Sequence, residues 1–97
     1  MSQTCEPREA RIYRFESCMD TVACERIEPE LQASLAEGEA SVVFDLAGVK
    51  FVSSAFLGLC VRAYQKTCQF GFEMINVEPT IKRVFKIAGL EDMLKVR

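Results

Sequence analysis

The sequence predicts a single α/β domain, in which a mixed, mostly parallel sheet packs with three to four helices. Three observations carry this. Apolar runs of strand length, Ser41–Leu46 and Phe72–Val77, alternate with segments whose apolar residues recur every three or four positions. Serine, glycine and proline stand at the junctions between those segments. At 97 residues, 49% apolar with five glycines, the chain suits one packed core.

The elements follow in order. Ala10–Glu16 mixes apolar and charged residues, with Tyr13 and Phe15 on one face and Ile12 on the other, and reads as a strand with both faces partly covered. Asp20 offers a carboxylate to the open N–H groups of a helix start. From Thr21 to Glu37, Ala23, Ile27, Leu31 and Leu35 form one helical stripe, with Gly38 as the stop. Pro29 lies inside that stretch, so the helix either kinks there or restarts near Glu28; a kink is favoured. Ser41–Leu46 is nearly all apolar, which predicts a central parallel strand buried on both faces. Gly48 breaks it, and Val49–Val52 resumes an extended run.

From Ser53 the pattern turns helical, with Phe56, Leu59, Cys60 and Ala63 on one stripe and Gly71 at its end. Phe72–Val77 is the next strand. Pro79 suits a helix first turn, where its missing N–H costs nothing. Ile81, Val84, Phe85 and Ala88 make a regular apolar stripe that ends at Gly89, and Glu91–Leu94 adds a short turn. Strands alternating with helices imply parallel pairing through right-handed crossovers. There is no internal repeat or linker, so residues 1–97 form one domain with its core over about 10–95.

Composition removes several function classes. A net charge of −2 with mixed signs, and no basic block, gives nucleic-acid binding no footing. No apolar run is long enough to cross a bilayer, and Met1–Glu6 has no signal-peptide pattern, so the expected location is cytoplasmic. With no histidine, the serine or cysteine nucleophile paired with an imidazole is excluded, and no positive sign of an enzyme remains. Cys5, Cys18, Cys24, Cys60 and Cys68 contain no C-x-x-C pair and are odd in number. They read as reduced structural thiols, with Cys60 and Cys68 as small core residues, and no metal or cofactor is expected. Asp20 and Asp45 are the carboxylates to watch, with a helix cap and a solvated turn as their simpler roles.

What stands out is Ser53-Ser54 between an apolar strand and a helix. Serine there is foremost a good N-cap. The same physics allows more, because a phosphate on a hydroxyl at that place meets free N–H groups and the positive end of the helix dipole. Such a charge would change what the surface binds without unfolding the domain.

Three segments resemble the STAS domain family, which includes anti-sigma factor antagonists and the cytoplasmic tails of sulfate transporters. They are Val42-Val43-Phe44-Asp45-Leu46, then Val49 through Gly58, and Val84-Phe85-Lys86-Ile87-Ala88-Gly89-Leu90. The second is similar to a family segment containing Asp-Ser-Ser-Gly-Leu-Gly, and the likeness runs from about Ile12 to Leu94. It implies a regulatory module that binds an anti-sigma factor with serine kinase activity and is switched by phosphorylation of a serine in that motif. Ser54 is then the candidate switch, with Ser53 as the alternative. Asp20, Ser53, Ser54, Phe56, Leu57 and Gly58 are the candidate partner-binding residues. Phe56 has an equal claim to be core, and Leu57, off the apolar stripe, a better claim to exposure.

Register decides which serine matters. Matching Leu57-Gly58 to the motif's Leu-Gly puts Ser53 at its aspartate and Ser54 at its first serine. Ala55 then falls at the second serine, the usual target. Sliding by one residue makes Ser54 the target but loses the Leu-Gly match, so the first register is preferred. Ala55 in that place also fits a scaffold that is never phosphorylated, as a subunit of a transporter or signalling complex. A small-ligand or nucleotide sensor and a thiol redox protein are further alternatives. Family members open with a two-strand hairpin, and few residues precede Ala10 here. A shortened or missing first strand would leave Ile12–Phe15 open to strand addition by a second copy, as a homodimer.

Overall fold

Along the chain one or two strands precede each helix. A computed structural model describes residues 11–36 and 41–97. The strands are β1 (Arg11–Arg14), β2 (Cys18–Met19), β3 (Val42–Asp45), β4 (Phe51–Val52) and β5 (Phe72–Ile75). The helices are α1 (Thr21–Ala36), α2 (Ser54–Thr67) and α3 (Pro79–Ile87). β1, β3 and β5 form one sheet in that order, and β2 pairs with β4 in a second, two-stranded ladder. Every described strand pair is parallel. The expected fold class holds. Ala10, Glu37, the expected stop at Gly38 and the question of a preceding hairpin lie outside the described residues.

The strand order sets where the helices go. The chain steps from β1 to β3 to β5 and then to Val96, which bridges Met74 in parallel, always in the same direction. Right-handed crossovers in one direction place α1, α2 and α3 on the same face. That corrects the expectation that β3 is buried on both sides: Val42 and Phe44 are buried, but Val43 is only half-buried. On the second face Val43 lies in register with Ile12 and Glu73, and Ile12 is 52% exposed.

Aromatic rings fill the space between sheet and helices. Phe44 meets Tyr13, Phe15 and Phe72 edge-on, with ring centroids 5.9, 4.8 and 5.0 Å apart. Phe15 in turn meets Phe56 of α2 at 5.2 Å. Such edge-to-face pairs add about 0.5–1.5 kcal/mol each beyond area burial. Phe15 follows the last residue of β1 yet still points into the core, so the expected strand is shorter than its inward pattern suggests.

α1 runs without interruption through Pro29, so the helix does not restart near Glu28. Pro29 is exposed, and the Glu25 carbonyl it leaves without an N–H partner belongs to an exposed residue. Ala23, Leu31 and Leu35 are buried as the stripe predicts, joined by Cys24. In α2, Phe56, Leu59, Cys60 and Ala63 are buried as expected, together with Thr67, whose hydroxyl donates to the Ala63 carbonyl at 2.8 Å. α2 stops at Thr67, with Cys68 as its cap and ahead of Gly71. Cys68 is exposed and does not join the core, because the helix ends before its last turn can carry that side chain inward. Gly71 instead stands just before β5, at φ +116, where an added Cβ would lie 3.1 Å from that of Ser41.

α3 buries Ile81 and Phe85, but Val84 is 37% exposed and Ala88 lies at the exposed cap. The expected four-residue stripe is therefore narrower. Its other half faces solvent because no element packs there among the described residues. After Gly89, turns over residues 91–95 carry Leu94 and Val96 into the core, and the Arg97 N–H donates to the Met74 carbonyl at 2.9 Å. No described helix is long and apolar enough to cross a membrane.

Candidate docking and modification site

Two short strand-to-helix units lie side by side at the carboxyl ends of the main strands. In the β2–β4 ladder Cys18 pairs with Phe51 and Met19 with Val52. One residue then intervenes in each unit, Asp20 before α1 and Ser53 before α2. Both helix N-termini thus open onto one face. The sequence reading missed β2, because a two-residue strand carries no periodicity to detect.

Each intervening residue acts as the cap that its chemistry suits. Asp20 Oδ1 accepts the Ala23 N–H at 2.9 Å. Ser53 Oγ accepts the Phe56 N–H at 3.4 Å and donates to the Met19 carbonyl at 3.0 Å. The Ser53 N–H reaches the same carbonyl at 3.0 Å, and the Cys24 thiol lies 3.9 Å from it. The Met19 carbonyl thereby ties the start of α1 to the start of α2. Burial pushes the Cys24 thiol above its ordinary range and the fully buried Cys60 thiol well above it, which disfavours the reactive thiolate in both.

Ser54 differs from its neighbour. It is the first residue of α2, exposed, and its side chain makes no hydrogen bond among the described residues. Ala55 and Leu57 are half-buried against the core. Phe56 is fully buried, which takes it out of the candidate contact surface: it supports the face from beneath, against Phe15. Gly58 is half-exposed, and a Cβ there would meet Arg62 Nη1 at 3.4 Å. Arg62 in turn bridges to Glu28 of α1 at 2.7 Å, which links the two helices beside Gly58.

The structure adds two residues that sequence reasoning did not single out. Val22, in the first turn of α1, is 65% exposed, and Phe51 of β4 is 51% exposed. Large apolar side chains left in water beside two helix N-termini are the kind of anchor that protein interfaces use. The signal in the sequence was faint: Phe51 alternates with the buried Val52, and Val22 falls off the α1 stripe.

Asp45 is not the solvated turn residue that its position suggested. It is buried at the end of β3, where Oδ1 accepts the Ala47 N–H and Asn76 Nδ2, both at 3.0 Å, and Oδ2 lies 3.5 Å from Arg14 Nε. These contacts, the Asn76 bond foremost, hold its carboxyl below the usual range. Asn76 stands at φ +57, a left-handed conformation that asparagine tolerates better than most residues. Asp45 therefore joins the ends of β1, β3 and β5, and it is a structural strut. Among the described residues no cluster of histidine, cysteine or carboxylate side chains could hold a metal ion.

Comparison with known proteins agrees with this architecture. The chain is 28% identical over 84 residues to BtrV of Bordetella bronchiseptica, a proposed anti-sigma factor antagonist, covering 84% of this chain and 72% of that one. An anti-sigma-factor antagonist (STAS) domain protein from Planctomyces limnophilus superposes with a TM-score of 0.77 at 21% identity, over 84% of this chain and 76% of that one. The anti-sigma factor antagonist SpoIIAA in its unphosphorylated form gives a TM-score of 0.67 at 22% identity, over 82% and 76% of the two chains. The phosphorylated form of SpoIIAA from Bacillus gives 0.68 at 21% identity, over 95% and 86%. These likenesses establish the fold. A family model described as the STAS domain matches residues 2–97, and the chain belongs to that family.

Proposed function

We propose that this STAS domain is a non-enzymatic, cytoplasmic docking module of the anti-sigma factor antagonist kind. Its partner is an anti-sigma factor with serine kinase activity, and Ser54 is the switch. The observation that carries this is the contrast between the two serines. Ser53 Oγ is committed to the Phe56 N–H and the Met19 carbonyl, whereas Ser54 Oγ is exposed and uncommitted on the same face. A phosphate on Ser54 would stand at the open end of α2 and leave the internal bonds intact. It would also place about two negative charges beside Val22 and Phe51, which opposes docking of an apolar surface. Asp20 contributes a carboxylate to the same face, one oxygen of which is already used by the cap.

Incubation with kinase-type anti-sigma factors and ATP, followed by mass spectrometry, tests the reading. Native protein should gain one phosphate on Ser54, Ser54→Ala should gain none, and Ser54→Asp should bind the partner at least tenfold more weakly. Partner binding without phosphate transfer would favour the second reading, an unphosphorylated scaffold subunit. Ala55 supports that alternative, since it brings no hydroxyl to the place the motif reserves for one.

A further inference from the structure

The two outer helices carry opposite charge on their solvent faces. α1 lies over β1, where Tyr13 Oη and Ser34 Oγ are 2.6 Å apart and Arg11 Nη1 donates to the Ser34 carbonyl at 2.6 Å. α3 follows β5 and leads into the C-terminal segment that pairs with the outer edge of β5. The helices therefore stand at opposite ends of one layer.

On α1, Glu25, Pro29, Glu30 and Ala33 are exposed; on α3, Arg83, Val84, Lys86 and Ile87 are exposed. Ile87, at 79%, is the most exposed large apolar residue of those described. Arg26 is held by Glu16 and Glu28 by Arg62, both within the chain. Glu25, Glu30, Arg83 and Lys86 have no ion-pair partner among the described residues.

We propose that copies of this chain associate end to end, α3 of one copy packing on α1 of the next. Val84 and Ile87 would rest on the low surface formed by Pro29 and Ala33, where short side chains allow close approach of two helices. Arg83 and Lys86 would face Glu25 and Glu30. The contact joins two different surfaces, so it does not close on itself, and copies add in a row. Its charges stay near solvent, which makes the association weak and sensitive to salt. Neither surface includes Ser54 or Phe51, so the inference stands apart from the phosphorylation reading.

Sedimentation velocity over a range of concentrations tests it on three proteins. Native protein should show a mass that rises steadily with concentration at low salt, with no plateau at the dimer, and falls to the monomer at high salt. Arg83→Glu/Lys86→Glu should remain monomeric, since two acidic faces would meet. Glu25→Lys/Glu30→Lys should remain monomeric for the opposite reason. Mixing the two variants should restore association, because each then offers the other a complementary pair of faces. Ile87→Gln, which changes no charge, should also reduce the mass, and circular dichroism checks that every variant is folded. Native protein that stays monomeric throughout overturns the proposal. So does association that both charge variants leave unchanged, which would point to another surface such as the edge of β1.

Discussion

Ser53 Oγ donates to the Met19 carbonyl at 3.0 Å, across the ladder that joins β2 to β4. This bond, with the cap the same hydroxyl provides to Phe56, makes Ser53 a structural residue, whereas its neighbour Ser54 is exposed and makes no side-chain hydrogen bond among the described residues. The two serines should therefore separate in stability. Ser53→Ala loses a cap and leaves a carbonyl with one donor fewer, which together cost about 1–2 kcal/mol. For a domain of this size that lowers the melting temperature by about 4–16 °C. Ser53→Thr keeps both bonds and should melt near the native protein. Ser54→Ala should fall within about 0.5 kcal/mol of native, as exposed substitutions do. A Ser54→Ala protein as unstable as Ser53→Ala would remove Ser54 from the role of free switch.

Asp20 has a stability role and a proposed binding role, and two substitutions divide them. Asp20→Asn keeps an oxygen for the Ala23 N–H, since asparagine caps as well as aspartate, but it removes the charge. Asp20→Ala removes both and should cost about 1 kcal/mol. If the carboxylate contributes to docking, both variants bind the partner more weakly while only Asp20→Ala melts lower. Equal binding by Asp20→Asn and native protein would confine Asp20 to capping.

Much of this was legible in the sequence, for reasons the particular residues make plain. The buried residues of α2 were found because Phe56, Leu59, Cys60 and Ala63 repeat at helical spacing, and only one face of that helix meets the sheet. β3 was located by the same logic but misjudged in its surroundings. An apolar run shows that a strand can be buried on both sides, whereas the direction of the crossovers decides whether it is, and direction is not written in a local window. The exposure of Val22, Phe51 and Ile87 was hidden for a related reason: nothing in a pattern of apolar residues says that a neighbour is absent. Asp45 illustrates the limit most simply, because its partners Arg14 and Asn76 come from the two adjacent strand ends.

Phe56 and Leu57 differ in burial, and their truncation should differ accordingly. Phe56 is fully buried against Phe15, so Phe56→Ala should destabilise by about 3–5 kcal/mol, enough to threaten folding of a domain this small. Phe56→Leu, which keeps most of the volume, should fold with a smaller loss. Leu57 is only half-buried, and Leu57→Ala should cost clearly less than Phe56→Ala in urea melts. A Phe56→Ala protein of native stability that lost partner binding would return Phe56 to the contact surface.

Asp45 should make stability depend on pH in a defined direction. Hydrogen bonds from Asn76 and the Ala47 N–H, with Arg14 nearby, lower its carboxyl in the folded state relative to the unfolded chain. The unfolded state therefore binds the proton more readily, and the stabilisation is present in full above the unfolded value of about 3.9. It is lost as pH falls from there through the folded value. Asp45→Asn keeps an oxygen for the Ala47 N–H and Asn76 bonds but removes the charge and turns an amide donor toward the Arg14 guanidinium, so at pH 7 it should be less stable by about 1–3 kcal/mol. The gap between the two proteins should narrow as pH drops below about 4, where native Asp45 is itself becoming neutral. The other carboxylates titrate in both proteins and cancel in the difference. Urea melts of the pair at pH 7 and pH 3 read this directly. A gap of the same size at both would mean that the charge on Asp45 contributes nothing, and that its hydrogen bonds alone hold the strand ends together.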